Sequence, residues 1–212
     1  MDADLTRQLA HEIQAPLTSL ELQLRKLTEE QPGSELATSC LAEIESLKRL
    51  VASFLELGAS ESRERPSSAL ELAPVFHLVE KRFRPIAAQR NVTLQIECGS
   101  VSALCDRGAA ERIVSNLVDN AVKFSRGGGT VEISARAHNG SIEVEVRDEG
   151  IGIATEARAR IFEPFYRVHR EIAGFGLGLA ISKRLAEAQR GSLQCKSDLD
   201  RGASFILTLP AT

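Results

Sequence analysis

Apolar residues recur near the start of the chain at steps of four and three: Leu5, Leu9, Ile13, Leu17, Leu20, Leu24 and Leu27. That spacing gathers them on one side of an α-helix. Gln31-Pro32-Gly33-Ser34 interrupts the pattern, because proline and glycine oppose continuation and Ser34 can cap a new helix. A second helix is predicted over 35–57, with Leu41, Ile44, Leu47, Val51 and Phe54 along one side and Gly58 as its stop. Two amphipathic helices joined by a short turn make a hairpin with too little core of its own. Its heptad-like stripe is expected to pair with a second copy, giving a four-helix bundle in a homodimer. Packing on the chain's own second domain is the alternative.

Residues 59–69 are polar, contain Pro66 and read as a linker. The pattern then turns mixed. A helix is predicted over about 72–89, and Val92, Leu94 and Ile96 alternate with polar residues as in a half-buried strand. Asp106 can cap a helix whose stripe is Ile113, Leu117, Ala121 and Phe124. Gly127-Gly128-Gly129 is a tight turn. Val131, Ile133 and Ala135 alternate next, then Ile142, Val144 and Val146. A short helix near 155–161, an irregular stretch and a helix over about 178–189 precede two strands, marked by Leu193 and Cys195 and by Phe205, Leu207 and Leu209. The expected class is α+β: a helical hairpin over 1–58, the linker over 59–69, and an α/β sandwich over 70–212. Its mixed, largely antiparallel sheet should have one face covered by helices.

The chain has 212 residues, 43% hydrophobic and 26% charged, enough for one large domain or two small ones with a real core. A formal net charge of −3 gives no sign of nucleic acid as a bulk partner. Cys40, Cys98, Cys105 and Cys195 are scattered without metal-ligand spacing and read as reduced cytosolic thiols. No apolar run approaches the roughly 20 residues that cross a bilayer, and no signal peptide is evident. The helical pattern begins almost at residue 1, as in a piece of a longer protein.

Three features carry chemistry. Asn116, Asn120 and Lys123 share one side of the helix that Asp106 begins. Two amides and an ammonium on one face suit a metal–phosphate group, since amide oxygens ligate Mg²⁺ and an ammonium meets phosphate. Counting by two from Ile142 puts Asp148 on the inward face of its strand, where a carboxylate needs a partner, such as an exocyclic amine of adenine. Gly150 and Gly152 come next and permit close backbone approach. Gly174, Gly176 and Gly178 open a helix whose N-terminal N–H groups can meet phosphates. The preceding stretch from Tyr166 to Ala173, with Arg167 and Arg170, is a candidate lid. Ile161-Phe162-Glu163-Pro164-Phe165-Tyr166 should pack the base of that loop. Each feature also has a plain reading: a solvated helix face, an Asp-Glu-Gly turn, a loop before a helix. His11 falls between Leu9 and Ile13 and should face outward from the bundle seam, and Pro16 should kink its helix. His77, His138 and His169 read as ordinary surface histidines.

Together the segments resemble the catalytic core of a sensor histidine kinase of two-component signalling. An H box is matched by His11-Glu12-Ile13-Gln14-Ala15-Pro16-Leu17, and an N box by Asn116-Leu117-Val118-Asp119-Asn120-Ala121-Val122-Lys123-Phe124-Ser125. Asp148-Glu149-Gly150-Ile151-Gly152, Phe162-Glu163-Pro164-Phe165 and Gly174-Phe175-Gly176-Leu177-Gly178-Leu179 complete the family order, with Gly202 where a late glycine is expected. The resemblance implies a dimerising phosphotransfer hairpin followed by a Bergerat-type ATP-binding domain. It implies that His11 accepts the γ-phosphoryl group of ATP and that Glu12 acts as base or orients the imidazole. It further implies that Asn116 and Asn120 bind Mg²⁺ and phosphates, and that Lys123 binds phosphates. The glycine boxes (with Leu179) and Arg167 would meet the nucleotide, and Asp148 the adenine. The phosphoryl group would pass to an aspartate of a response regulator's receiver domain. The implied setting is cytoplasmic, as the soluble core of a sensor anchored in a membrane through parts absent from this chain.

Two departures qualify that expectation. The family commonly has Arg and Thr where this chain has Gln14 and Ala15, and Ala15 has no hydroxyl or amide to orient a water. Weak phosphatase activity toward the regulator is therefore expected. Phe175 stands where a small hydroxyl residue is usual, which bears on ATP affinity. A degenerate core acting as a nucleotide sensor or scaffold is the competing reading. Another ATPase of the same nucleotide fold is a third, disfavoured by the N-terminal hairpin.

Overall fold

The computed structural model describes residues 3–30, 34–59, 67–169, 171–172 and 174–212, with backbone alone for 3–12, 15, 30, 46, 49 and 53–59. The chain divides into two compact units, Met1–Arg63 and Glu64–Thr212. Among the described residues no helix is long and apolar enough to cross a membrane.

The first unit pairs α1 (Ala3–Glu30) with α2 (Glu35–Ala59). Ser34 caps α2, its Oγ accepting the Ala37 N–H at 3.3 Å. The helix runs on through Gly58, so that glycine is not its stop; a single helical glycine costs only about 1 kcal/mol. Leu17, Ala37 and Ile44 are buried between the helices, and Lys48 donates to Glu21 across them at 2.6 Å. The apolar stripe of α1 splits in two: Leu17 points inward, while Ile13, Leu20 and Leu27 remain 47%, 48% and 48% exposed. α1 is continuous through Pro16. The expected break at 31–33 and the middle of the expected linker, 60–66, lie outside the described residues. Ala59 belongs to α2, and Ser68–Ala69 already belong to a strand.

The second unit runs β1 (Ser68–Glu71), α3 (Ala73–Gln89), β2 (Thr93–Cys98), β3 (Ser102–Cys105), α4 (Arg107–Phe124), β4 (Thr130–His138), β5 (Ser141–Asp148), α5 (Thr155–Arg158), α6 (Gly178–Ala188), β6 (Ser192–Ser197) and β7 (Ala203–Pro210). Five strands form one sheet in the order β2-β4-β5-β7-β6. Only β2 and β4 are parallel, and the other three pairings are antiparallel. β1 and β3 form a separate antiparallel ribbon that the sequence pattern did not reveal.

Period-two alternation explains the sheet's inner face. Val131, Ile133, Val144, Val146, Phe205, Leu207 and Leu209 are buried against α3, α4 and α6, while their polar neighbours face outward. α4 lies deepest. Asp106 caps it, accepting the Ala109 N–H at 2.8 Å, and Val114, Val118 and Val122 are buried beside Ile113, Leu117 and Ala121. Truncating Ile113 to alanine would cost roughly 2–5 kcal/mol.

Candidate functional site

Asp148 ends β5 on the same inward face as Val144 and Val146, only 4% exposed. Register pairs it with Ala203 on β7. Its Oδ1 accepts the N–H of Gly150 at 2.8 Å and of Ala203 at 3.2 Å. Both bonds fall on one oxygen, and Oδ2 takes no donor from the described residues. Burial pushes the carboxyl above its ordinary value, and the two N–H groups pull it part of the way back. The turn after β5 is stitched to the end of α4: Ile151 N–H donates to the Phe124 carbonyl at 3.2 Å. A Cβ on Gly150 would lie 2.2 Å from that same carbonyl oxygen, and one on Gly152 would lie 2.0 Å from the Asp198 carbonyl oxygen. Gly202, with φ at +77°, would meet the Asp148 carbonyl oxygen at 1.9 Å. These glycines are therefore required by backbone packing around Asp148. Ser197 adds a tie that sequence reasoning missed, accepting from Ile153 N–H at 2.9 Å and donating to the Gly202 carbonyl at 2.6 Å. Next to the turn, Ser125 Oγ is buried with no partner among the described residues. On β6, half-buried Cys195 is pushed up to about 12 by burial and then by the Asp148 charge, so it is a protonated thiol at neutral pH.

α4 presents the predicted trio unequally. Asn116 Nδ2 donates to the Gly178 carbonyl at 3.3 Å and to Ser182 Oγ at 3.2 Å, both on α6. Half-buried Asn120 makes no side-chain hydrogen bond to the described residues. Lys123, expected on phosphate, sits on Asp119 of its own helix at 2.5 Å; an ammonium has three donors, so the pair leaves capacity for an anion. At the far end of α4, the Asp106 N–H donates to Gln189 Oε1 at 2.6 Å, which pins α4 to the end of α6. Neither Ser182 nor Gln189 had a sequence signal beyond lying on a predicted helix.

The second glycine cluster is held by the aromatic segment. Phe165 N–H donates to the Gly176 carbonyl at 2.9 Å, and Gly176, with φ at +70°, would meet the Tyr166 carbonyl oxygen at 2.7 Å if it carried a Cβ. Ile161 is buried, Lys183 lies over Phe162 and Arg160 over Tyr166, but Phe165 is 54% exposed. The segment thus anchors the loop mainly through backbone, and only part of it packs as expected. Gly174 is exposed, and Leu179 half-buried. Gly178 begins α6 with no side-chain cap from Leu177, so its leading N–H groups are available to an anion. Arg167, expected at phosphate, donates instead to the carbonyls of Ile172 at 2.5 Å and His169 at 3.4 Å, bracing the loop. His169 is half-buried, with its ring 6.2 Å from Phe124 and Nδ1 3.0 Å from Glu171. Arg170 and Ala173 lie outside the described residues, as do the side chains of His11 and Glu12, whose backbone is in α1.

One end of the second unit thus carries a buried carboxylate with a spare acceptor, a half-buried amide without a partner among the described residues, a cation and an uncapped helix start. The carboxylate fits an exocyclic amine, and the amide, cation and N–H groups fit a metal–phosphate group.

The model of the histidine kinase-, DNA gyrase B-, and HSP90-like ATPase family matches residues 105–212. Among curated proteins, the alginate biosynthesis sensor protein KinB of Pseudomonas aeruginosa is 28% identical over 98% of this chain and 37% of its own length. The first curated relatives are spanned by this chain over only 36–57% of their length. Among solved structures, full-length ShkA in complex with AMPPNP matches with a TM-score of 0.89 at 27% identity, over 100% of this chain and 46% of that one. The histidine kinase AdeS of Acinetobacter baumannii matches with a TM-score of 0.72 at 26% identity, over 95% of this chain and 98% of that one.

Proposed function

This chain belongs to the histidine kinase-, DNA gyrase B- and HSP90-like ATPase family, and we propose that it is the core of a sensor histidine kinase that phosphorylates its own His11 from ATP. The expected hairpin (1–58), linker (59–69) and ATP-binding domain (70–212) keep their order, with Ala59 moved into the dimerisation and phosphotransfer hairpin and Ser68–Ala69 into the ATP-binding domain. The buried Asp148, with one oxygen held by backbone N–H groups and the other open, supports this reading most directly.

In the reaction, the neutral His11 imidazole attacks the γ-phosphorus, an N–P bond forms, and the bond to the bridging oxygen breaks as ADP leaves. Glu12 would take the imidazole proton or hold the ring. Asp148 accepts from the adenine amine through Oδ2, and Lys123 and the start of α6 offset charge on the phosphates. Mg²⁺, held by Asn116 and Asn120, would neutralise charge that develops on the phosphate oxygens. The phosphoryl group then passes to a receiver-domain aspartate. Ile13, Leu20 and Leu27, exposed at seven-residue steps, support a homodimer seam on the hairpin. The place of action would be the cytoplasm, where ATP and receiver domains are found.

Incubation with γ-labelled ATP and Mg²⁺ tests the reading. Acid-labile label on the wild type, lost in His11→Ala, is the expected result. Intact nucleotide binding without any label would overturn the kinase reading in favour of a nucleotide-sensing scaffold.

A further inference from the structure

We infer that Ser182 is a positioning residue: with the Gly178 carbonyl it holds both amide protons of Asn116, leaving Oδ1 as the one group Asn116 can offer a nucleotide. The inference rests on the ATP reading and sharpens it. A carboxamide has two donors on nitrogen and an acceptor on oxygen. The Gly178 carbonyl can only accept, so the amide nitrogen must face it; the flipped amide would set two acceptors against each other at the observed 3.3 Å. Ser182 Oγ lies 3.2 Å from the same nitrogen and is 0% exposed, so no water competes for it. Both donors are then committed to α6, and Oδ1 takes no donor from the described residues. Asn116 is thereby an acceptor, suited to a cation or a cation-bound water and unable to donate to phosphate. Asn120, without a partner among the described residues, keeps both capacities. The two amides one helical turn apart thus have different roles, and a residue on another helix sets the difference.

The test uses the whole chain and binding, not turnover. Affinity for ADP is measured by calorimetry with Mg²⁺ and again with a chelator, and the ratio is the metal-dependent gain. Ser182→Ala is expected to lower that gain about tenfold, in line with loss of a group that orients a metal ligand. Affinity in chelator should hold or rise, because a freed amide proton can reach phosphate. Ser182→Thr, which keeps the hydroxyl, should retain the gain, and Ser182→Cys, a close isostere with a weaker acceptor, should fall between. In an Asn116→Ala background, Ser182→Ala should change the gain no further. Melting curves without nucleotide accompany each variant. Equal loss of affinity with and without Mg²⁺, or an undiminished gain in Ser182→Ala, overturns the inference while leaving the ATP reading in place. Wild-type protein that binds no nucleotide overturns both.

Discussion

The Phe165 N–H donates to the Gly176 carbonyl at 2.9 Å, which joins the aromatic motif and the glycine motif into a single turn. The two motifs are therefore tied together at this point. A Cβ at 176 would lie 2.7 Å from the Tyr166 carbonyl oxygen on a backbone with φ at +70°.

Gly176→Ala should loosen that tie. The strain is about 1–3 kcal/mol and falls on a peripheral turn. ADP affinity should drop at least roughly fivefold, with little change in the melting of the second unit. A calorimetric titration beside a thermal melt checks both. A large fall in melting temperature with normal affinity would contradict it.

Asp148→Asn should separate stability from binding. The folded carboxyl lies above its ordinary value of 3.8 because burial disfavours its charge. Its contribution to stability is thus fully present below its unfolded value and is lost as pH rises through the folded one. At neutral pH the ion is a liability to the fold, and Asn Oδ1 can still accept from Gly150 and Ala203. The variant should melt at the same temperature or higher. Its adenine-nucleotide affinity should fall roughly tenfold to a hundredfold, the worth of a hydrogen bond to a charged group. Wild-type affinity should weaken on acidification through the raised value, and the variant should lack that acid limb.

Leu20→Glu addresses the hairpin. Leu20 is on the outer stripe and Leu17 on the inner one. A charge at 20 should leave each hairpin helical but separate the copies, read as a halved mass by sedimentation and as loss of His11 labelling, with ADP binding unchanged. Leu17→Ala should instead weaken the hairpin itself by about 2–5 kcal/mol.

Ala15→Thr should add what the H box lacks. A hydroxyl one helical turn after His11 can orient a water toward the regulator's acyl phosphate. Loss of that phosphate on adding the protein without nucleotide should be slow for the wild type and faster for Ala15→Thr. Rapid loss with the wild type would show that Ala15 is no handicap.

Much of the sheet was legible because period-two alternation at Val131, Ile133, Ile142, Val144 and Val146 is a direct imprint of one buried face. The same counting placed Asp148 inward, and Asp106 and Ser34 were readable as caps. The β1–β3 ribbon was not legible: each strand is too short to show a period, and the two are separated in sequence by a helix and another strand. Nor was the division of α1 into two stripes, since steps of three and four mark one broad face whether its partner is in the same chain or another. The detour of Arg167 to loop carbonyls escaped because charge patterning locates a cation but not its acceptors, whereas the i, i+4 spacing of Asp119 and Lys123 could have signalled their pair. Ser182 and Gln189 looked like helix filler, because their partners come from α4 and its cap, far earlier in the chain.

Gln189 and Asn116 fasten α6 to α4 at two separate points along their length. Two pegs at separate points oppose both sliding and rotation of α6 on α4. A pair of spectroscopic labels spanning the two helices should therefore report the same separation with and without added ADP.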